Sequence, residues 1–339
     1  MHAYLKFATR LGALTLAAAA LGQASVASAQ SKDIRIGLVY SRTGPLEAYG
    51  KQTQAGVVLG LDYATGGTMM VNGRKIVLIE KDDQGKPDVG KSQLASAYAD
   101  DKVDLAIGPV ASGVALAMLP VAEENKKILI VEPAVADSIT GDKWNRYVFR
   151  TGRNSSQDAA GNAAAFDKEG ITIATLAQDY AFGRDGVKAF KEALKKAKVV
   201  HEEYLPTGTT DFTAGAQRVF DAMKDKPGRK ILFIIWAGAS NPFKIADLDP
   251  KRYGIELASG GNTFSGLAGY KVAPGMEGAT TYYFSMHKNP INNWLITEHY
   301  KRFKTPPDMF TGSGMAAAIA AVEALKKTGG DTNSDKLIK

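Results

Sequence analysis

The run Ile34-Arg35-Ile36-Gly37-Leu38-Val39-Tyr40, followed directly by Ser41-Arg42-Thr43-Gly44-Pro45-Leu46, decides the fold. Its first half is a short apolar segment closed by turn residues, which reads as a strand buried on both faces. Its second half breaks that strand with Gly and Pro. Helical spacing then takes over through residues 46–64. Outward from this unit the same alternation recurs. Asn72-Gly73 separates 69–71 from 75–80, a hairpin signal. Pro87 opens a helix to about residue 100, since proline is favoured at a first helical position. Residues 103–107 read as a strand, Ser112 as the possible cap of a helix to about residue 126, and 128–131 as a strand ended by Pro133.

The pattern then restarts. Residues 147–151 are extended. Ser155 and Asp158 resemble a capping box, with Asp in place of Glu or Gln, on a helix to about residue 169. Strands are expected over 171–177, 199–204 and 230–236, with helices over 182–197 and 212–224 between them. Shorter strands follow at 255–258 and 278–281, and helices over 292–303 and 313–328 close the chain. Alternation of this kind means parallel sheets covered on both faces. With 339 residues, 45% of them hydrophobic, the chain exceeds one comfortable domain. The expected architecture is therefore α/β, with two doubly wound, Rossmann-like lobes joined by a hinge. Ligands on such sheets bind beyond the carboxyl ends of the strands, where the loops gather.

The first thirty residues fall outside that pattern. Lys6 and Arg10 precede an apolar run over 11–21, and Ala27-Ser28-Ala29 supplies small residues before Gln30. This order defines a secretory signal peptide over 1–29 and an exported, periplasmic protein. No second apolar run is long enough to span a bilayer, so no membrane insertion is expected. The chain has no cysteine, which removes disulfides, thiolate nucleophiles, cysteine metal sites and a lipid-modified cysteine. The net charge of +7 is spread among acids, as at Lys126, Lys127, Lys195 and Lys196. It reads as a solvated surface, not a nucleic-acid track.

Catalytic and cofactor signatures are missing. The turn after the first strand has Pro45 where a dinucleotide fingerprint needs backbone amides, and there is neither a phosphate-binding loop nor a nucleophile elbow. Beyond the leader the histidines are His201, His287 and His299, with no metal-ligating spacing, and His299 reads as a surface residue of a helix. Asp82-Asp83 precedes Gln84-Gly85 and reads as a strand-end turn. The expectation is a protein without cofactor or metal, and not an enzyme.

Thr43-Gly44-Pro45-Leu46 with Tyr49-Gly50 resembles the first loop of the leucine/isoleucine/valine-binding-protein-like family, among the type I periplasmic binding proteins. Asp82-Asp83, Ile107-Gly108-Pro109 with Ser112, Pro133-Ala134, Phe149-Arg150-Thr151, Ser155-Ser156-Gln157, Asp179-Tyr180-Ala181-Phe182-Gly183 and Gly275-Met276-Glu277-Gly278 resemble further motifs of that family in order. The likeness covers 34–328. It implies lobe one over 31–150 plus 282–339 and lobe two over 151–281. It also implies a small-molecule ligand, an ABC importer permease as partner, and a monomer. The family usually continues some tens of residues further and crosses back to lobe two, whereas this sequence stops at Lys339.

By resemblance, Ser112 and the backbone of Ala134 and Ala136 would grip an acid group. Ser112 also fits a plain helix cap, and the two roles are compatible. Tyr49 matches an aromatic wall position, or else is a surface loop aromatic. Phe182 falls where the family often has a tyrosine facing the ligand. Tyr180 and Trp236 either line the cleft or pack as ordinary core. Amino-acid binders of the family carry an acidic residue in lobe two, but the matching stretch Ser259-Gly260-Gly261-Asn262-Thr263-Phe264 has none. A buried ammonium without a counter-charge is costly. The reading therefore favours a small carboxylate with an apolar or aromatic body, with Asn262 available to a hydroxyl or amide, and Arg150 or Arg153 either supplying charge or serving the hinge. The alternatives are a branched-chain amino acid or amide as ligand, or a sensory module of the same fold.

Overall fold

Strand β1 (Ile34–Tyr40) is buried along nearly its whole length because parallel strands flank it on both sides. The sheet around it adds β2 (Met70–Val71), β3 (Arg74–Asp82), β4 (Leu105–Ile107), β5 (Ile128–Val131) and β6 (Val148–Arg150), in the spatial order β2-β3-β1-β4-β5-β6. Only β2 runs antiparallel; it pairs with β3 through Asn72 and Gly73, which both adopt positive φ as a two-residue hairpin turn requires. The computed structural model describes residues 33–238, 242–261 and 263–339. The expected signal peptide lies outside the described residues.

A second, wholly parallel sheet is built from β7 (Ile171–Gln178), β8 (Lys198–Leu205), β9 (Arg229–Ile235), β10 (Ile255–Ser259) and β11 (Glu277–Gly278), in the order β11-β10-β9-β7-β8. The period of two along β9 splits its side chains between two cores. Leu232 and Ile234 pack with Phe220 and Ile255 on one face; Ile231 and Phe233 pack with Phe166 and Phe190 on the other. Phe190 stacks on Phe233 with ring centroids 4.3 Å apart.

The helices are α1 (Glu47–Ala64), α2 (Pro87–Ala99), α3 (Ser112–Asn125), α4 (Ser155–Phe166), α5 (Ala181–Ala193), α6 (Thr213–Met223), α7 (Phe264–Leu267), α8 (Pro290–Phe303), α9 (Met309–Lys327) and α10 (Ser334–Leu337). Late in the chain, α9 returns to the first sheet, and its Ala317, Ala318, Ala321, Val322 and Leu325 join the core of Ile34, Leu38 and Val57. It lies directly against α1 because three positions lack side chains. A Cβ on Gly56 would overlap the Thr311 carbonyl, one on Gly60 the Met315 carbonyl, and one on Gly314 the Thr53 carbonyl.

Several local expectations change. The α4 cap is a true capping box made one residue earlier: Asn154 Oδ1 accepts from Gln157 N (2.9 Å) and Gln157 Oε1 from Asn154 N (2.9 Å). Asp158 is thereby freed for another role. The strand expected at 278–281 shrinks to β11. His299 is not a surface residue: it is buried, with Nδ1 2.6 Å from the Thr305 carbonyl.

The glycine contact gives a stability prediction. Gly56→Ala forces α1 and α9 apart and costs about 3 kcal/mol. Gly161→Ala, on a helix position facing open space, gains about 0.5–1 kcal/mol. Thermal unfolding of the two variants against the parent should show shifts of opposite sign.

Candidate functional site

The carboxyl ends of β1, β3, β4 and β5 bring their loops together at one edge of the first sheet, as the parallel topology requires. Paired aspartates shape the first of these loops. Asp82 accepts hydrogen bonds from Arg42 N (3.0 Å), Thr43 N (3.2 Å), Thr43 Oγ1 (2.7 Å) and Gln84 N (2.9 Å). Burial pushes its carboxyl up, but these bonds outweigh burial and hold it below the ordinary carboxylate range. Asp83 accepts from Ser41 Oγ and Gly85 N, both at 2.7 Å, and burial raises its carboxyl. The strand-end-turn reading of this pair is thus the correct one. Gly44, at φ 93°, passes so close to the Gln84 carbonyl that a Cβ would sit 2.7 Å from it. The loop held this way delivers Leu46 and Tyr49 to a cleft between the two sheets.

That cleft has about 840 Å³ of empty space, part of it continuous with solvent. The first sheet's side contributes Leu46, Tyr49, Val110, Ser112, Val135 and Phe310; the second contributes Tyr180, Phe182 and Trp236. The walls are aromatic. Tyr49 and Phe310 lie 4.6 Å apart by ring centroid, Tyr180 and Phe182 5.8 Å, and Trp236 packs edge-on against Phe212 at 5.0 Å. Burial raises the hydroxyls of Tyr49 and Tyr180 above the ordinary phenol range, so both are neutral donors.

Arg153 of the crossing segment and Asp158 of α4 form a charged pair in this apolar cleft. Arg153 Nε lies 2.7 and 2.9 Å from the two oxygens of Asp158, with side chains only 16% and 18% exposed. The guanidinium carbon is 6.0 Å from the Phe310 ring centroid, within reach of a cation–π contact. Its Nη atoms make no hydrogen bond to the described residues, so that edge stays open to the cleft. Burial, opposed by Arg153, raises the Asp158 carboxyl.

Several expected site residues take different roles. Ser112 lines the cleft but caps nothing: it is the first residue inside α3, and its Oγ accepts from Val135 N (3.3 Å) and Ala136 N (3.1 Å). With its acceptor side used, its O–H is left to donate. Ala134 and Ala136 do not line the cleft, and Val135 does so instead. Their amides are committed, Ala134 N to the Pro109 carbonyl and Ala136 N to Ser112. Arg150 is likewise committed, with Nη1 and Nη2 each 2.7 Å from the Ala134 and Ala136 carbonyls. Tyr49, Tyr180, Phe182 and Trp236 all reach the cleft. Asn262 lies outside the described residues. Asp158 and Phe310 were not anticipated. An arginine five residues before an aspartate, across a helix start, was the available signal for the first.

Direct hydrogen bonds join the two sides around the cleft. Asp185 Oδ2 accepts from Ser138 N (3.1 Å) and Ser138 Oγ (2.8 Å), and Asp308 accepts from Phe264 N at 2.9 Å. Tyr49 Oη accepts from Gly238 N at 3.2 Å. Gly238 is placed there by Gln178, whose side-chain amide pairs with both the N–H and the carbonyl of Ala237 (3.0 and 2.9 Å). A Cβ on Gly238 would sit 2.8 Å from the Pro45 carbonyl.

Two α/β lobes with a polar-floored, aromatic-walled cleft between them define a solute-binding architecture. The chain belongs to the periplasmic binding protein family, whose profile matches residues 33–339. It is 65% identical to an ABC-type branched-chain amino acid transporter protein of Rhodopseudomonas palustris of known crystal structure, with 90% of this chain and 83% of that one covered and a TM-score of 0.75. A solute-binding protein of an ABC transporter from the same species, solved in complex with 3,4-dihydroxybenzoic acid, is 27% identical, with 90% and 84% covered and a TM-score of 0.72. The Leu/Ile/Val-binding protein BraC3 of Rhizobium johnstonii is 30% identical over 211 residues, which is 60% of this chain and 56% of that one. The chain thus matches little more than half the length of that relative.

The bonds across the cleft predict an opening variant. Asp185→Ala removes both acceptor contacts to Ser138 at a helix position that tolerates alanine. Small-angle scattering should give a larger radius of gyration than for the parent, with stability within about 0.5 kcal/mol. An unchanged radius would show that this contact does not hold the sides together.

Proposed function

We propose that this is the exported solute-binding protein of an ABC importer, and that it captures a small carboxylate with an apolar or aromatic body between two lobes, 31–150 with 282–339 and 151–281. The observation that carries this reading is the open Nη edge of Arg153 on the floor of an aromatic cleft. A carboxylate seated there gains a charge-assisted pair. The Ser112 hydroxyl and the free amides at the start of α3 offer further donors, and the helix dipole adds to them. The apolar body then lies among Tyr49, Phe310, Tyr180, Phe182 and Trp236. Rotation of the lobes about the crossing segments closes the cleft and excludes water. The solute is then handed to the permease, and no bond is made or broken, in keeping with a family of transport proteins and not enzymes. The aromatic-acid ligand of one R. palustris relative supports this class. Among the described residues no helix is long and apolar enough to cross a membrane.

Asp158 favours a second reading. The stretch 259–264 offers no carboxylate to a ligand ammonium, but Asp158 on α4 lines the cleft. An α-amino acid lying across Arg153 and Asp158 would have both its charges matched. The 65% identical relative, an ABC-type branched-chain amino acid transporter protein, points the same way.

Thermal-shift and calorimetric titration separate the two. On the acid reading, benzoate and its hydroxylated forms raise Tm, and leucine and valine do not. Arg153→Met weakens acid binding about 10–100-fold, the value of hydrogen bonds to a charged group. A strong shift with leucine and none with the acids sinks the acid reading.

A further inference from the structure

We propose that a carboxylate ligand enters this cleft together with a proton, and that Asp158 receives it. The inference rests on the acid reading above and concerns the charge balance of that same site.

Among the described lining residues Arg153 is the only cation. Arg150, three residues earlier, is spent on the Ala134 and Ala136 carbonyls. Arg153 already faces a carboxylate through Nε. A second one, the buried Glu132, lies behind the crossing segment, where Thr151 Oγ1 donates to it at 3.1 Å. A ligand anion on the Nη edge therefore adds negative charge to a guanidinium whose charge is already matched. Two carboxylates sharing one site inside an apolar enclosure do not both stay ionised.

The donors decide which group is protonated. The ligand carboxylate meets Arg153 Nη, the Ser112 hydroxyl and the amides of the first turn of α3, all of which stabilise an ionised group. Among the described residues Asp158 receives only the Arg153 Nε–H. It is the least solvated carboxylate of the pair, and burial already raises it. The other charged groups around it do not compensate. Asp137, on the facing loop, is a further negative charge and is held by Ser156 N and Oγ. Tyr49 and Tyr180 are neutral. On α5, which packs against α4, Asp185 is tied to Ser138, while Arg184, Lys188, Lys191 and Glu192 are exposed. The turn after β10 contributes glycine at the cleft. In the balanced step the ligand arrives as its carboxylate, one solvent proton moves onto an Asp158 oxygen, and Arg153 turns its charge to the ligand. A zwitterionic amino acid adds no net charge and needs no such proton.

The test is calorimetric titration of the full chain with benzoate, 4-hydroxybenzoate and leucine between about pH 5.5 and 8, in buffers of different ionisation enthalpy. Wild-type protein should take up about one proton per aromatic acid at the acid end. The acid Kd should weaken by up to about tenfold per pH unit towards the alkaline end. Asp158→Asn keeps the shape and the acceptor for Arg153 Nε. It should abolish the uptake, flatten the profile and bind the acid about tenfold more tightly than wild type at pH 8. Acid binding without proton uptake, or uptake that survives in Asp158→Asn, overturns the proposal while leaving the acid reading intact. Binding of leucine with no aromatic acid bound overturns both.

Discussion

The crossing segment after β6 passes over a buried carboxylate, and the cleft depends on how it passes. Glu132 is 1% exposed at the end of β5. Gly152 runs so close over it that a Cβ there would overlap the carboxylate oxygens. Burial raises the Glu132 carboxyl, and Ser313, Arg153, Thr151 and Arg150 oppose that rise. The absent side chain at 152 lets the two flanking arginines diverge. Arg150 turns back to fasten the Ala134–Ala136 carbonyls, and Arg153 turns forward into the cleft. One fixed strand exit thus builds both the loop that backs Ser112 and the cation on the cleft floor.

The fold was legible because parallel strands buried on both faces write themselves as short apolar runs between turn residues. The 34–46 stretch, the Asn72-Gly73 hairpin and the restart after Thr151 needed nothing beyond local pattern. Tyr49 and Phe182 were marked by motif resemblance, Tyr180 and Trp236 only as aromatics that either line the cleft or pack, and Phe310 not at all, since an aromatic side chain looks the same in sequence whether it packs or lines a cavity. The polar roles were not legible. Asp158 resembled a cap partner until Asn154 and Gln157 proved to close the capping box between themselves. Ser112 resembled a cap, yet its hydroxyl bonds amides 23 and 24 residues away. His299 resembled a surface residue because the carbonyl that engages it lies in the turn after its own helix. In each case the deciding partner is placed by tertiary structure, which no spacing rule contains.

The cleft combines two kinds of surface. Rings on both sides offer a broad apolar surface with little rotamer freedom to lose. Among the described lining residues a single cation, Arg153, sits beside them with a fixed partner. The contacts that join the two sides, at Tyr49–Gly238, Ser138–Asp185 and Phe264–Asp308, lie around this core. Of these, only Tyr49 belongs to the wall itself, so the bond that links the sides there is held by a residue that also lines the cleft.

The pairing of α1 with α9 has a bearing on how the chain assembles. Every strand of the second sheet comes from one continuous span, Ile171 to Gly278. The first sheet's core is finished only when segments from opposite ends of the described chain meet: Gln52 and Asp308, which hydrogen-bond at 3.1 Å, are 256 residues apart. Contacts of such long sequence separation form late, because the intervening chain must be ordered or looped before they can stabilise anything. The half of the molecule made first by the ribosome is therefore the half completed last.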